Sequence, residues 1–99
     1  MKYTKIHPGT ILADELEARD LSANRLAIDI GVPSGRITDI INGKRNITPD
    51  TAYRLGLFFK TAPQFWMNLQ TTYDLALVEE KQGPALIKRI RAAEESRAY

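Results

Sequence analysis

Apolar residues recur every three or four positions along most of the chain, which is the spacing of amphipathic helices. Helix-start and helix-stop residues, among them Thr48 as the cap of the fourth segment, divide this pattern into five segments, and we expect the fifth to end at Gln82-Gly83-Pro84. The pattern therefore predicts an all-α fold. Its predicted core positions are Ile11, Leu12, Leu16, Leu21, Leu26, Ala27, Ile30, Val32, Ile37, Ile40, Ala52, Leu55, Phe58 and Phe59.

Residues 22–45 have the most specific pattern, one typical of a helix-turn-helix. Ala27 would lie where the two helices cross, and Gly31 suits the left-handed backbone at a helix C-terminus. An ordinary amphipathic hairpin would also show Leu and Ile at this spacing. It does not account for Ala27, Gly31, the short turn Gly31-Val32-Pro33 and a polar helix start together. We therefore expect the second helix of this motif to enter a DNA groove.

The outward face of that second helix is predicted to meet the major groove with Ser34, Gly35, Arg36, Thr38 and Asp39. Arg36 is the candidate for reading guanine, and the alternatives are a phosphate contact or a pair with Asp39. Asp39 either accepts from a cytosine amine or, as we favour, orients Arg36. Thr38 is placed to touch a thymine methyl group, and Gly35 either lets phosphates approach closely or is tolerated at an exposed helix end.

Contacts to the DNA backbone are predicted next to this helix, at Asn42, Lys44 and Arg45. Ser22 begins the first helix of the motif, where its hydroxyl can cap the helix, and the same terminus can bind a phosphate. The two roles of Ser22 are compatible.

The fifth predicted helix carries more apolar surface than one core-facing stripe requires. Since this motif usually reads DNA as a dimer, we predict a two-fold interface at Trp66, Leu69, Tyr73 and Leu77. Core packing around Trp66 and Tyr73 is the alternative. Residues 1–80 would then form the DNA-binding domain. Residues 81–99 would form a tail that is either a short amphipathic helix or a frayed end.

Composition narrows the class of protein. Ninety-nine residues with 43% hydrophobic content suit one domain, and the absence of cysteine excludes disulfides, thiol nucleophiles and zinc fingers. The longest apolar runs are far shorter than the about 20 residues needed to cross a bilayer, so we expect a cytoplasmic protein, associated with the nucleoid when bound to DNA. Residues 1–50 hold seven basic and seven acidic residues, which makes the distribution of charge more informative than the net charge of +2.

Catalysis has little support in the sequence. The single histidine, His7, precedes a proline at the start of the first helix, and a structural or solvated role is expected for it. Motifs for metal ligands, phosphate-binding loops and nucleophilic serines are missing. We expect no enzyme activity, no metal and no cofactor.

Several separate motifs occur in an order that resembles HigA-type antitoxins, the VapI-like branch of the xenobiotic-response-element (XRE) helix-turn-helix family. They run from residue 7 to residue 77: His7-Pro8-Gly9, Gly31-Val32-Pro33, Ile41-Asn42-Gly43-Lys44-Arg45, Thr48-Pro49-Asp50-Thr51-Ala52, the segment PQFWMNLQ at 63–70, and Tyr73-Asp74-Leu75. The resemblance implies a five-helix lambda-repressor-like fold and a homodimer. It also implies operator DNA and a RelE/HigB-like mRNA endonuclease toxin as partners, with repression of the protein's own operon.

Two other functions stay open on the sequence alone. One is a free-standing repressor of the same superfamily without a toxin partner. The other is a protein-interaction module that has lost DNA binding. Three surfaces are equal candidates for binding a toxin: residues 1–7, the polar face of the first helix and the basic tail.

Overall fold

The computed structural model describes residues 2–97 and contains five helices, as the sequence predicts. They are α1 (Pro8–Ala18), α2 (Ala23–Ile30), α3 (Ser34–Ile41), α4 (Pro49–Phe59) and α5 (Pro63–Arg97). No strand occurs between residues 2 and 97. The all-α fold class is confirmed.

Local signals in the sequence define most helix ends. The Ser22 hydroxyl accepts the Arg25 N–H at 3.0 Å, and the Thr48 hydroxyl accepts the Thr51 N–H at 3.4 Å. Gly31 follows α2 with φ +73°, the left-handed conformation that ends many helices. These three residues act as the sequence predicts.

The start of α1 is built differently from the other helix starts. His7 caps it, because its Nδ1 accepts the Gly9 N–H at 2.9 Å. The expected structural role of His7 is thereby confirmed. Gly9 is buried against the end of α3, and a Cβ added there would overlap the carbonyl oxygen of Ile40. The absence of a side chain at Gly9 lets the backbones of α1 and α3 touch.

One hydrophobic core joins the five helices. Trp66 is the residue that α5 contributes to this core, and it is only 1% exposed. Its indole N–H donates a hydrogen bond to the Thr61 hydroxyl at 3.1 Å. Phe59 packs on the Trp66 ring with centroids 5.7 Å apart. The remaining core residues are Leu12, Leu16, Leu26, Ala27, Ile30, Ile37, Ile40, Ile47, Ala52 and Leu55.

Helix α5 does not end at Gln82-Gly83-Pro84. It continues through Pro84 to Arg97, a length of 35 residues, so the prediction of a break there is wrong. Pro84 removes one backbone donor from the helix, but the carbonyl it leaves free belongs to exposed Glu80, where water can bond it. Good helix formers such as Ala85, Leu86 and Lys88 then carry the helix onward.

The N-terminal segment lies across the middle of α5. The Lys2 and Tyr3 N–H groups donate to the Glu79 carboxylate at 2.9 to 3.1 Å, and Lys5 pairs with Glu80 at 2.9 Å. The backbone N–H groups, that of Lys2 first, hold the pKa of Glu79 below its ordinary value. The hydrogen bond to Glu80 raises the pKa of Lys5.

Candidate nucleic-acid interface

The helix-turn-helix is fixed by backbone hydrogen bonds on both sides of α3. At the turn before it, Val32 N–H donates to the Ala27 carbonyl at 3.0 Å and Gly31 N–H to that of Ile28 at 3.2 Å. After it, Lys44 N–H donates to the Asp39 carbonyl at 2.8 Å, with Gly43 at φ +74°. Both are Schellman motifs, which satisfy the last carbonyls of a helix. They leave α3 little freedom to shift.

The two faces of α3 differ as a recognition helix requires. Ile37 and Ile40 are fully buried in the core, and Ser34, Gly35 and Thr38 on the other side are exposed. A Cβ added at Gly35 would meet no atom within 4 Å. The protein's own packing therefore does not require glycine at this position.

Arg36 and Asp39 are half-buried and do not form the pair that we expected. The ion pairs within residues 2–97 join other residues: Lys5–Glu80, Arg19–Glu15, Arg25–Asp29 and Arg54–Asp50. The Arg36 Nε is buried without a hydrogen-bond partner. Asp39 therefore does not orient Arg36, which forms no ion pair with any carboxylate of residues 2–97.

Asn42, Lys44 and Arg45 are exposed in the loop that leads from α3 to α4. The far end of this loop is held by Ile47, whose side chain is buried and whose N–H donates to the Gln70 side-chain oxygen at 2.7 Å. Sequence reasoning missed Gln70, since no local signal connects it to a residue 23 positions earlier.

Arg54 is a second residue that sequence reasoning missed. Its Nη1 donates to the Ile30 carbonyl at 2.7 Å, at the C-terminus of α2, and its Nε pairs with Asp50 at 3.0 Å. A cation at a helix C-terminus is favourable, because the last carbonyls carry partial negative charge. Arg54 thus links α4 to the turn that follows α2. The only sequence signal was the four-residue spacing from Asp50, which does not point to α2.

The residues predicted for the dimer interface lie on the inner face of α5. Trp66 belongs to the core of its own protomer, so it has no surface to offer a partner and the interface prediction is wrong for it. Tyr73 is half-buried and meets the His7 ring edge-on with centroids 5.0 Å apart, while Leu69 and Leu77 are also half-buried. The exposed large apolar residues of α5 are instead Phe65, Leu75, Val78, Leu86, Ile87 and Ile90.

Across residues 2–97, no three His, Asp or Glu side chains come together as a metal site. Of the five described helices, none is both long and apolar enough to span a bilayer.

The chain is similar in sequence to known helix-turn-helix proteins. Residues 12–66 match the family described as Helix-turn-helix. Virulence-associated protein I of Dichelobacter nodosus is 46% identical over 76 residues, which cover 76% of this chain and 70% of the relative.

Two solved structures share the fold over most of their length. An addiction module antidote protein of the HigA family from Coxiella burnetii superposes with a TM-score of 0.83 at 50% identity, covering 85% of this chain and 92% of that one. The Pseudomonas aeruginosa antitoxin HigA, solved with the higBA promoter, superposes with a TM-score of 0.80 at 43% identity, covering 84% and 91%.

Proposed function

Because the chain belongs to the helix-turn-helix family, and within it to the HigA family of antidote proteins, we propose that it is an operator-binding antitoxin. As a homodimer it binds double-stranded DNA of its own operon, represses transcription and neutralises a RelE/HigB-like mRNA endonuclease. In that role it acts in the cytoplasm, and at the nucleoid when bound to its operator.

The observation that carries DNA binding is the open face of α3. Ser34, Gly35 and Thr38 on this face are exposed, and turns closed by backbone hydrogen bonds lie at both ends of the helix. Half-buried Arg36 has no carboxylate partner within residues 2–97. In our proposal Arg36 reads a base and Thr38 contacts a thymine methyl group. Lys44, Arg45 and Asn42 hold phosphates, together with Ser22 at the start of α2.

The dimer in this proposal uses the outer face of α5. At 100° per residue, Leu75, Val78, Leu86 and Ile90 fall within one arc of about 120°, turned away from the side that holds Trp66. We define these four residues as the outer stripe. All four are exposed, and a second copy of the chain would bury them. The two recognition helices of the dimer would meet half-sites about 34 Å apart.

The toxin partner rests on relatedness. The Coxiella burnetii structure is an addiction module antidote, and the Pseudomonas aeruginosa protein is an antitoxin. Co-expression with the neighbouring open reading frame tests this part, since a stable complex that copurifies is expected. A neighbour that neither binds this chain nor harms cells would favour the free-standing repressor.

The DNA-binding part is tested with two alanine variants on two duplexes, the promoter of its own gene and a scrambled version. Arg36→Ala should lower affinity for the promoter more than for the scrambled duplex, by about 1 to 3 kcal/mol of discrimination. Lys44→Ala should weaken both equally and reduce the salt slope by about 1. Lys81→Ala removes an equal charge from an exposed site on α5 and serves as the control. Equal effects of Arg36→Ala on both duplexes would contradict base reading.

A further inference from the structure

The loop that carries the proposed phosphate contacts is hydrogen-bonded to a neighbouring helix at each end. At its start, the Schellman motif ties Lys44 N–H to Asp39 in α3 at 2.8 Å. At its end, Ile47 N–H donates to Gln70 in α5 at 2.7 Å. The exposed side chains of Lys44 and Arg45 lie between these two points. Their position therefore depends on α3 at one end and on α5 at the other.

Gln70 is a buried amide, 4% exposed, on the inner face of α5. Its oxygen accepts the Ile47 N–H, and its Nε2 donates to the Asp74 carboxylate at 2.9 Å. A carboxylate only accepts, so Asp74 fixes which end of the amide faces the loop. An amide at this position satisfies both neighbours. A carboxylate there would face Asp74 with like charge.

We propose that Gln70 is a positioning residue for DNA binding: through Ile47 it sets the loop so that Lys44 and Arg45 reach the phosphates. This inference rests on the proposed operator-binding function. It makes α5 part of the DNA-binding machinery although none of the DNA contacts proposed above comes from α5. A change in α5 that shifts Gln70 then alters the affinity for DNA.

The first test replaces Gln70 by methionine, which keeps the length of the side chain and removes the acceptor. Gln70→Met should weaken binding to the promoter and to a random-sequence duplex by the same several-fold factor, and should lower the salt slope, as loss of a phosphate contact does. Gln64→Met is the matched control. It makes the same substitution at an exposed glutamine of α5, which bonds Asn68 instead of the loop.

A double-mutant cycle separates positioning from a general loss of structure. If Gln70 acts through the loop, Gln70→Met and Lys44→Ala are not additive, because each disables the same phosphate contact. Gln70→Met and Arg36→Ala should be additive. Binding is measured at a temperature at which circular dichroism shows every variant to be folded. Additivity with Lys44→Ala, or an affinity for DNA equal to that of the unmodified protein, would overturn the proposal.

Exchanging the amide at position 70 and the carboxylate at position 74 tests whether DNA affinity can be restored. Gln70→Glu alone places two carboxylates together and should weaken DNA binding. Gln70→Glu combined with Asp74→Asn restores a donor opposite the new acceptor at unchanged net charge, and should recover the affinity. A double variant that binds no better than Gln70→Glu overturns the positioning role. If instead the unmodified protein fails to distinguish its promoter from random DNA, the proposed function itself fails, and this inference fails with it.

Discussion

Residues 2–80 and residues 81–97 differ in how much the rest of the chain packs against their helices. The first part, which we call the body, contains the core, the capped helix ends and the docked N-terminal segment. The second, the tail, is the exposed end of α5, and Gly83 is the one half-buried residue within it. Packing and hydrogen bonds within the chain hold the helices of the body in place. The tail has an apolar stripe and no neighbour in the protomer to cover it.

Charge divides the two parts as well. Residues 1–80 contain nine basic and ten acidic residues, whereas residues 81–99 contain five basic and two acidic ones. The net positive charge of the chain therefore resides in the tail. The tail extends α5 beyond the core, so a partner surface that covers its apolar residues would add to its stability. The body thus contains the packing contacts within the chain, whereas the tail exposes the apolar side chains that association would cover.

The strongest test of this difference uses one glycine from each part. Gly9→Ala should destabilise the body by about 3 kcal/mol, because the added methyl group overlaps the Ile40 carbonyl oxygen and α1 must move away from α3. Gly83→Ala meets only the Glu79 side chain at 3.5 Å, an ordinary contact, and should stabilise the helix by up to about 1 kcal/mol. Urea unfolding measures both, and similar losses would erase the distinction.

The second test compares two exposed isoleucines. Ile90 in the tail is 56% exposed and Ile28 in α2 is 60% exposed. If the outer stripe pairs with a second copy, Ile90→Ala should weaken dimerisation by about 2 kcal/mol, and Ile28→Ala should leave it unchanged. Sedimentation equilibrium reports the dimer dissociation constant. Equal behaviour of the two variants would move the interface away from the tail.

The body also has an exposed helix face, which is formed by Ser34, Gly35 and Thr38 of α3. Gly35→Ala fills empty space on a helix and should stabilise the protein by about 0.5 kcal/mol. If the Gly35 backbone approaches DNA phosphates, the same variant should bind its promoter several-fold more weakly despite its greater stability. Thermal unfolding and fluorescence anisotropy give the two quantities. Unchanged affinity would show that the glycine is only tolerated there.

The smallest effect concerns the contact between the N-terminal segment and α5. Because the pKa of Glu79 is lower in the folded protein than in the unfolded chain, this contact is fully formed above the ordinary glutamate pKa of about 4.3 and is lost as the pH falls through the folded value. The amide NMR signals of Lys2 and Tyr3 should shift in that acidic range. Glu79→Gln should abolish the transition, and an identical titration in that variant would exclude Glu79 as its cause.

Sequence reasoning succeeded where the determinants are local. The caps at Ser22 and Thr48 and the glycine at position 31 are each read from a few neighbouring residues, and the periodicity identifies the helices between them. The helix-turn-helix was therefore predictable almost completely. The exposure of Ser34, Gly35 and Thr38 followed from the same periodicity.

The remaining features depend on contacts between distant parts of the chain. Gln70 reaches Ile47 and Arg54 reaches Ile30 across more than twenty residues, and neither pairing leaves a local trace. Periodicity gives the faces of a helix but not which face meets the core, so it does not decide between the predicted interface and core packing for Trp66. The continuation of α5 beyond Pro84 was missed because a proline inside a helix is usually a stop signal.

The projecting end of α5 also affects how the molecule moves through solution. The principal extents are 60 × 22 × 21 Å, and the radius of gyration of 17.7 Å exceeds the about 13 Å typical of a compact chain of 100 residues. Such a rod experiences more friction than a sphere of equal mass. It will elute early from a gel-filtration column and tumble anisotropically. A monomer can thus pass for a larger particle in size calibration, whereas light scattering, which reports mass irrespective of shape, will not be misled.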